Sequence, residues 1–367
     1  MAAALSRVDF PPAGPLHAEL RRAVEEHLAR SGRPARGGPA VAAKTAAILA
    51  WLAGSYLALL LLPVPGWAAA LLALSVGLAI AGVGFNVMHD ANHGTLSSRP
   101  AVNRAFAFAA DLIGGSSWLW RHKHNVLHHT WPNVAGMDTD GDAGFLLRLT
   151  PQQPRRSFHR WQHLYAWVLY GVFALKWWLY DDLRELLTGR IGGHAFPRPR
   201  GGALAALLLG KAAFLGWAFV VPLLLHPTFW LVPLWLLASA AAGVTLAAVF
   251  QLAHCVAEVD HPRGREGERL PLGWAELQLA TTTDFARGRR LLSWYVGGLN
   301  YQVEHHLFPG ICHVRYPELA PIVERTCRAH GIPYRAQPTL RAALAANARW
   351  LRELGAGDPA PAAQAAA

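Results

Sequence analysis

The sequence predicts an all-α integral membrane protein, with four transmembrane helices in two hairpins and a mostly helical cytoplasmic cap. Three observations predict it. Hydrophobic residues make up 53% of the 367 positions and charged residues only 16%. They are gathered in blocks, which excludes an ordinary soluble domain. The blocks form two pairs, each split by only a few residues. The basic residues avoid both splits: Lys and Arg number 7 in residues 1–45, 13 in 88–202 and 13 in 254–367, while the loops 63–66 and 226–228 carry none. Positive-inside bias then places both termini and the central segment in the cytoplasm. On this distribution the formal charge of +11 is a topology signal, and no nucleic-acid partner is expected.

Residues 1–45 form a polar, Pro/Gly-punctuated N-terminal segment. Leu20, Val24 and Leu28 recur at helical spacing in it, which predicts an amphipathic helix over about 17–30 that serves as a surface helix or touches the membrane. The membrane domain is expected over 46–356. Its first two spans, about 46–62 and 67–88, flank Pro63-Val64-Pro65-Gly66, and each is long enough for ~30 Å of hydrocarbon at ~1.5 Å per residue. A polar-aromatic stretch follows, in which 165–180 has the make-up of an interfacial helix. The other two spans, about 203–225 and 229–253, join at His226-Pro227. Lys211, ~12 Å from the cytoplasmic end of the third, either snorkels or faces the bundle. Residues 357–367 are Ala/Pro low complexity and are expected to be disordered. Cys255, Cys312 and Cys327 show no pairing pattern, and no signal peptide is expected.

The chemistry lies in the histidines, 18 in number. His89-Asp90-Ala91-Asn92-His93 begins where the second span ends. His124-Asn125-Val126-Leu127-His128-His129 lies in the central segment, Gln302-Val303-Glu304-His305-His306 in the C-terminal one, and His254 caps the fourth span. All four places fall on the side that charge alone makes cytoplasmic. On an α-helix, residues i and i+4 share a face, so His89 and His93 can approach one metal, and so can His124 and His128, with His129 reaching a second. Doublets such as His128-His129 and His305-His306 suit a binuclear site. Imidazole binds Fe, Zn and Cu alike, so ligand type does not choose the metal. Asp90, Asn125 and Glu304 sit inside the clusters and are natural acceptors for ligand N–H groups. The scattered His17, His27, His159, His163, His194, His226, His261, His313 and His330 read as ordinary capped or solvated residues, and His122 is a weaker candidate beside the second cluster. Asp138-Thr139-Asp140-Gly141-Asp142 hints at a calcium loop, but Leu149 stands where a bidentate Glu is needed, so it reads as a polar turn or as a segment backing the ligands. No phosphate loop, nucleophile elbow or dinucleotide fingerprint is visible, so the redox partner is expected to be another protein.

The clusters resemble the three histidine boxes of the membrane fatty-acid desaturase family, H-x(3)-H, H-x(3)-H-H and Q-x-x-H-H. The likeness extends to 85–94, 114–120, 123–130, 250–255, 281–288 and 291–312, about 45–355 in all, and looks like the acyl-CoA and front-end branch. It implies an oxidoreductase that uses two iron ions, dioxygen as co-substrate and two external electrons to remove two hydrogens from an acyl chain carried on CoA or a lipid. The implied ligands are His89, His93, His124, His128, His129, His254, His305 and His306, with Gln302 a weak ligand or a neighbour of the ligands. A ferredoxin or small cytochrome with its reductase would supply the electrons. Two departures stand out: neither His226-Pro227 nor His261-Pro262 continues as a haem-type H-P-G-G motif, and Leu277 lies near a position where some relatives have a His. A hydroxylase or ketolase on the same scaffold is the nearest alternative. A zinc-dependent membrane hydrolase is more remote, because eight histidines exceed what an open zinc site uses.

Overall fold

A computed structural model describes residues 8–140, 143–265 and 267–357. The low-complexity tail lies outside them apart from Gly357. Helices dominate, and the strands among the described residues are two short pairs, 190–191 with 194–195 and 284–285 with 336–337. Four helices are long and apolar enough to cross a membrane: Pro39–Leu61, Gly66–Asn92, Gly202–Leu225 and Leu231–His254. The first begins earlier than its apolar run, because Pro39 is pre-set for a first helical turn. It stops at Leu62, which is extended (φ −92°, ψ 136°) ahead of Pro63.

The first span packs on the second, the second on the fourth, and the fourth on the helix Gln162–Lys176. Two glycines allow these close crossings. A Cβ on Gly77 would meet the Ala238 carbonyl, and one on Gly243 the Tyr170 carbonyl. The third span leans on Ala109–Leu112 instead. It meets the fourth at Phe219 and Trp235, whose rings lie 4.4 Å apart, and a cavity of about 610 Å³ remains beside them. Lys211 faces the bundle. Its ammonium donates to Asp182 Oδ2 (2.7 Å) and to the carbonyls of Trp178 and Gly114, tying this span to the central segment.

The helix expected at the interface starts at Gln162. It buries Ala166, Tyr170 and Ala174 against the fourth span and leaves an apolar outer stripe of Leu164, Val168 and Val172. The N-terminal helix Pro15–Ser31 turns Leu16, Leu20 and Val24 inward. They pack among Leu279, Val303, Leu319 and Val323, so the helix closes over the segments that carry the third box.

Candidate metal centre

The second span ends in a π-helical turn, Gly84–Met88, before His89–Asn92, which carries the first box; His254 is the last residue of the fourth span. Ser116 caps the helical start of the second box, and Arg121–His128 then winds as a π-helix. The third box is the helix Gln302–Leu307, whose first turn is fixed by Asp284 Oδ1 accepting the Val303 N–H (3.0 Å).

These elements gather the boxed histidines into two groups. Ligand atoms of His89, His93, His124 and His305 all lie within 4.8 Å of one another, and so do those of His128, His254 and His306. His129 sits between, its ring 4.8 Å from His93 and stacked 4.5 Å from His306. The doublet His305-His306 divides between the groups as its spacing predicts. The pairing expected for His124 and His128 is present, since their ligand atoms and that of Asp140 lie within 4.8 Å of one another, but each ring also meets other partners. The π-helix hydrogen-bonds i to i+5, as the His129 N–H to His124 carbonyl bond shows. His124 Nε2 therefore also comes within 3.2 Å of His129 Nε2, while His128 also joins His254 and His306.

The second nitrogens reveal what the rings are oriented for. His128 Nδ1 donates to Asp138 Oδ2 (2.9 Å), His306 Nδ1 to Gln278 Oε1 (2.9 Å), His254 Nδ1 to the Thr281 carbonyl (3.3 Å) and His305 Nδ1 to Tyr316 Oη (3.1 Å). His89 Nδ1 lies 3.5 Å from Asp90 Oδ1. The opposite atoms, Nε2 of His89, His93, His128, His305 and His306, are buried with no partner. Buried polar atoms are rarely left unpaired, and five converging orphans fit a metal that takes them as ligands. Gln302 Nε2 stands 3.1 Å from His254 Nε2, beside the second group.

Two flanking residues face elsewhere. Asn125 Nδ2 donates to the Asn92 carbonyl, bracing the first box. Tyr334 Oη lies between Asp284 Oδ2 (2.5 Å) and Glu304 Oε1 (2.8 Å), and its one proton serves one carboxyl group at a time. Glu304 is thus a neighbour of His305 in sequence and a partner of the Asp284–Tyr334 cluster in space, because consecutive helical residues point about 100° apart. Burial, then the adjacent Asp284, pushes its carboxyl well above the usual range. His93, His124, His129, His305 and His306 are held well below the usual histidine value, first by burial and then largely by one another, which favours the neutral imidazole. His128 goes the other way: burial lowers it, but the Asp138 carboxylate outweighs that and raises it.

His122 packs against Phe196 outside both groups. Most scattered histidines find ordinary partners, such as His159 and His194 on the carbonyls of Phe145 and Gly136. His313 departs from that reading, being buried between Asp90 and Lys44. Sequence reasoning also missed Asn133, whose left-handed backbone (φ 56°) lets its side chain bind the carbonyls of His254 and Thr281 while its N–H meets Asp138. Beside the first group lies a cavity of about 280 Å³. His89 and His124 border it, Trp120, Leu246 and Phe250 are among its apolar walls, and Lys123, Asp140 and Glu185 are among its charged ones.

A model of the fatty acid desaturase family matches residues 65–338. The sn-1 linoleoyl-lipid 6-desaturase of Synechocystis sp. is 35% identical over 355 residues, covering 95% of this chain and 98% of that protein. Its namesake from Arthrospira platensis is 35% identical over 361 residues, with 96% of each chain covered. An acyl-lipid (8-3)-desaturase of Physcomitrium patens is 38% identical over 288 residues, 77% of this chain but 60% of that longer protein. With three histidine boxes converging at the ends of apolar spans and matches along nearly its whole length, the chain belongs to the fatty acid desaturase family and is an oxidoreductase that desaturates fatty acyl chains.

Proposed function

We propose that the protein is a di-iron desaturase of lipid-linked acyl chains, built as two hairpins with the active site and both termini cytoplasmic. One iron would sit among His89, His93, His124 and His305, and the other among His128, His254, His306 and His129, with Gln302 beside His254. The observation that carries this is the set of five buried, unpartnered Nε2 atoms whose Nδ1 atoms, His93 apart, face acceptors or a hydroxyl. When bound, the irons would supply the dioxygen-dependent oxidising chemistry that an unactivated methylene needs and side chains lack. The chain's own residues do the rest. Trp120, Leu246 and Phe250 enclose an acyl segment and exclude water, His89 and His124 bring the metal edge to it, and Lys123, Asp140 and Glu185 leave a polar rim for the carrier.

The names of the Synechocystis and Arthrospira relatives support a lipid carrier and a double bond at carbon 6. Electrons would come from a ferredoxin or small cytochrome with its reductase, so purified enzyme with reduced nicotinamide cofactor alone is expected to be idle. The test is expression in a host that lacks polyunsaturated lipids and is fed linoleate, followed by fatty-acid profiling and elemental analysis of the purified protein. The expected result is a new double bond at carbon 6 in the lipid fraction and two irons per chain. Oxygen-inserted product or zinc in place of iron would overturn the reading. Tags in the loops at 63–66 and 226–228 should report the outer side, and a cytoplasmic signal there would defeat the topology.

A further inference from the structure

We propose that Lys44 and His313 are positioning residues for the first histidine group, setting through Asp90 how strongly His89 holds its metal; this rests on the iron reading above. Lys44, His313, Asp90 and His89 are each at most 6% exposed, so water does not satisfy them. Lys44 Nζ lies 2.7 Å from His313 Nε2. An ammonium only donates, so Nε2 accepts and the ring proton must be on Nδ1. That nitrogen donates to Asp90 Oδ2 at 2.6 Å, and the Cys312 thiol donates to the same oxygen at 3.2 Å. The other carboxylate oxygen, Oδ1, faces His89 Nδ1 at 3.5 Å, and His89 Nε2 is one of the orphans of the first group. The chain of contacts joins the start of the first span, the segment after the third box and the first box. Ligand atoms of Asp90, Cys312 and His313 also lie within 4.8 Å of one another. The Lys44 ammonium already occupies His313, however, so the cluster is a hydrogen-bond chain and not a third metal site.

A carboxylate that accepts a ligand's N–H makes the imidazole a stronger electron donor. Asp90 has one oxygen loaded by a thiol and by a histidine anchored to a cation, and that load restrains what it withdraws from His89. Removing the Lys44 charge frees the carboxylate, enriches His89 and stabilises the oxidised metal. Removing His313 as well leaves Asp90 without its anchor.

The experiment uses the purified, iron-loaded full chain and three variants: Lys44→Met, Lys44→Arg, and the double variant Lys44→Met/His313→Leu, which leaves no lysine unpaired. Iron retention against a chelator series and the midpoint potential of the bound iron are measured. Lys44→Met should keep its iron at a lower potential, and Lys44→Arg should restore the wild-type potential. In the double variant Asp90 loses its hold on His89, which becomes the poorer donor, so the potential should rise above that of Lys44→Met and iron should bind about 10- to 100-fold more weakly, as losses of such partners do. Wild-type potential in Lys44→Met, or wild-type retention in the double variant, overturns the proposal. So does failure of both to fold while Lys44→Arg folds, since the role is then structural. A wild-type chain that binds no iron defeats the underlying reading instead.

Discussion

The two histidine groups are built differently, although one doublet feeds both. The second group is braced from behind by partners at ordinary hydrogen-bond distance: Asp138 on His128, Gln278 on His306 and the Thr281 carbonyl on His254. Asn133 binds three of these segments together. The first group is braced by Tyr316 on His305 and by a longer contact from Asp90 to His89, while Trp120 stacks on His124 at 4.3 Å. It is also the group that borders the apolar cavity. The difference teaches a division of labour. On the proposed reading, the group that borders the cavity for the acyl chain is the less tightly braced, and the group behind it the more tightly braced. In wild-type protein a chelator should therefore remove iron in two phases, the first group emptying first.

The largest expected effect comes from breaking the rigid group. His254→Ala removes one of its ring ligands and should abolish product while iron falls from two per chain towards one. His226→Ala, far from both groups on the Leu60 carbonyl, should change neither. Full iron and normal product from His254→Ala would dissolve the comparison, because His254 would then be outside the centre. A smaller effect is expected from Asp138→Asn. The amide keeps the shape but loses the charge that holds His128, and iron in the second group should bind about 10- to 100-fold more weakly. The two chelation phases should then merge. Persistence of two well-separated phases would show that the bracing by Asp138 does not set the rigidity.

The sequence made the spans legible because hydrocarbon demands a nearly uniform apolar surface over a fixed length, a signal that needs no knowledge of tertiary packing. The gathering of His89, His93, His254 and the later boxes at one end of those spans was legible for the same reason. What stayed hidden depends on backbone register and long-range contact. The π-helix over Arg121–His128 brings His129 within 3.2 Å of His124 as well, and nothing in the composition marks an i to i+5 turn. His306 finds Gln278, 28 residues away, and His313 finds Asp90 and Lys44, 223 and 269 residues away. Glu304 looked like a ligand's acceptor from its place in the box, yet Tyr334 and Asp284 claim it. Asp90, inside the first box beside His89, and Asp138, ten residues from His128 in a segment read as a polar turn or as backing the ligands, could be read ahead.

The finest test of the comparison is Tyr316→Phe. Tyr316 is fully buried among Leu319, Ala320 and Ile322, so phenylalanine fills the same space and the packing of its helix should survive. What disappears is one oxygen, the partner of His305 Nδ1 at 3.1 Å. A neutral hydrogen bond is worth about 1 kcal/mol net, or about 5-fold in an equilibrium constant. The first group should therefore release its iron about 5-fold more readily, with the slow chelation phase unchanged, because no ligand of the second group touches this hydroxyl. Turnover should fall by a similar factor at limiting iron and recover when iron is in excess. The asymmetry makes the prediction specific: a loss confined to the fast phase supports two separately braced groups. An equal change in both phases would mean that His305 and His306 transmit strain through their shared helix, and the two groups would have to be treated as one unit.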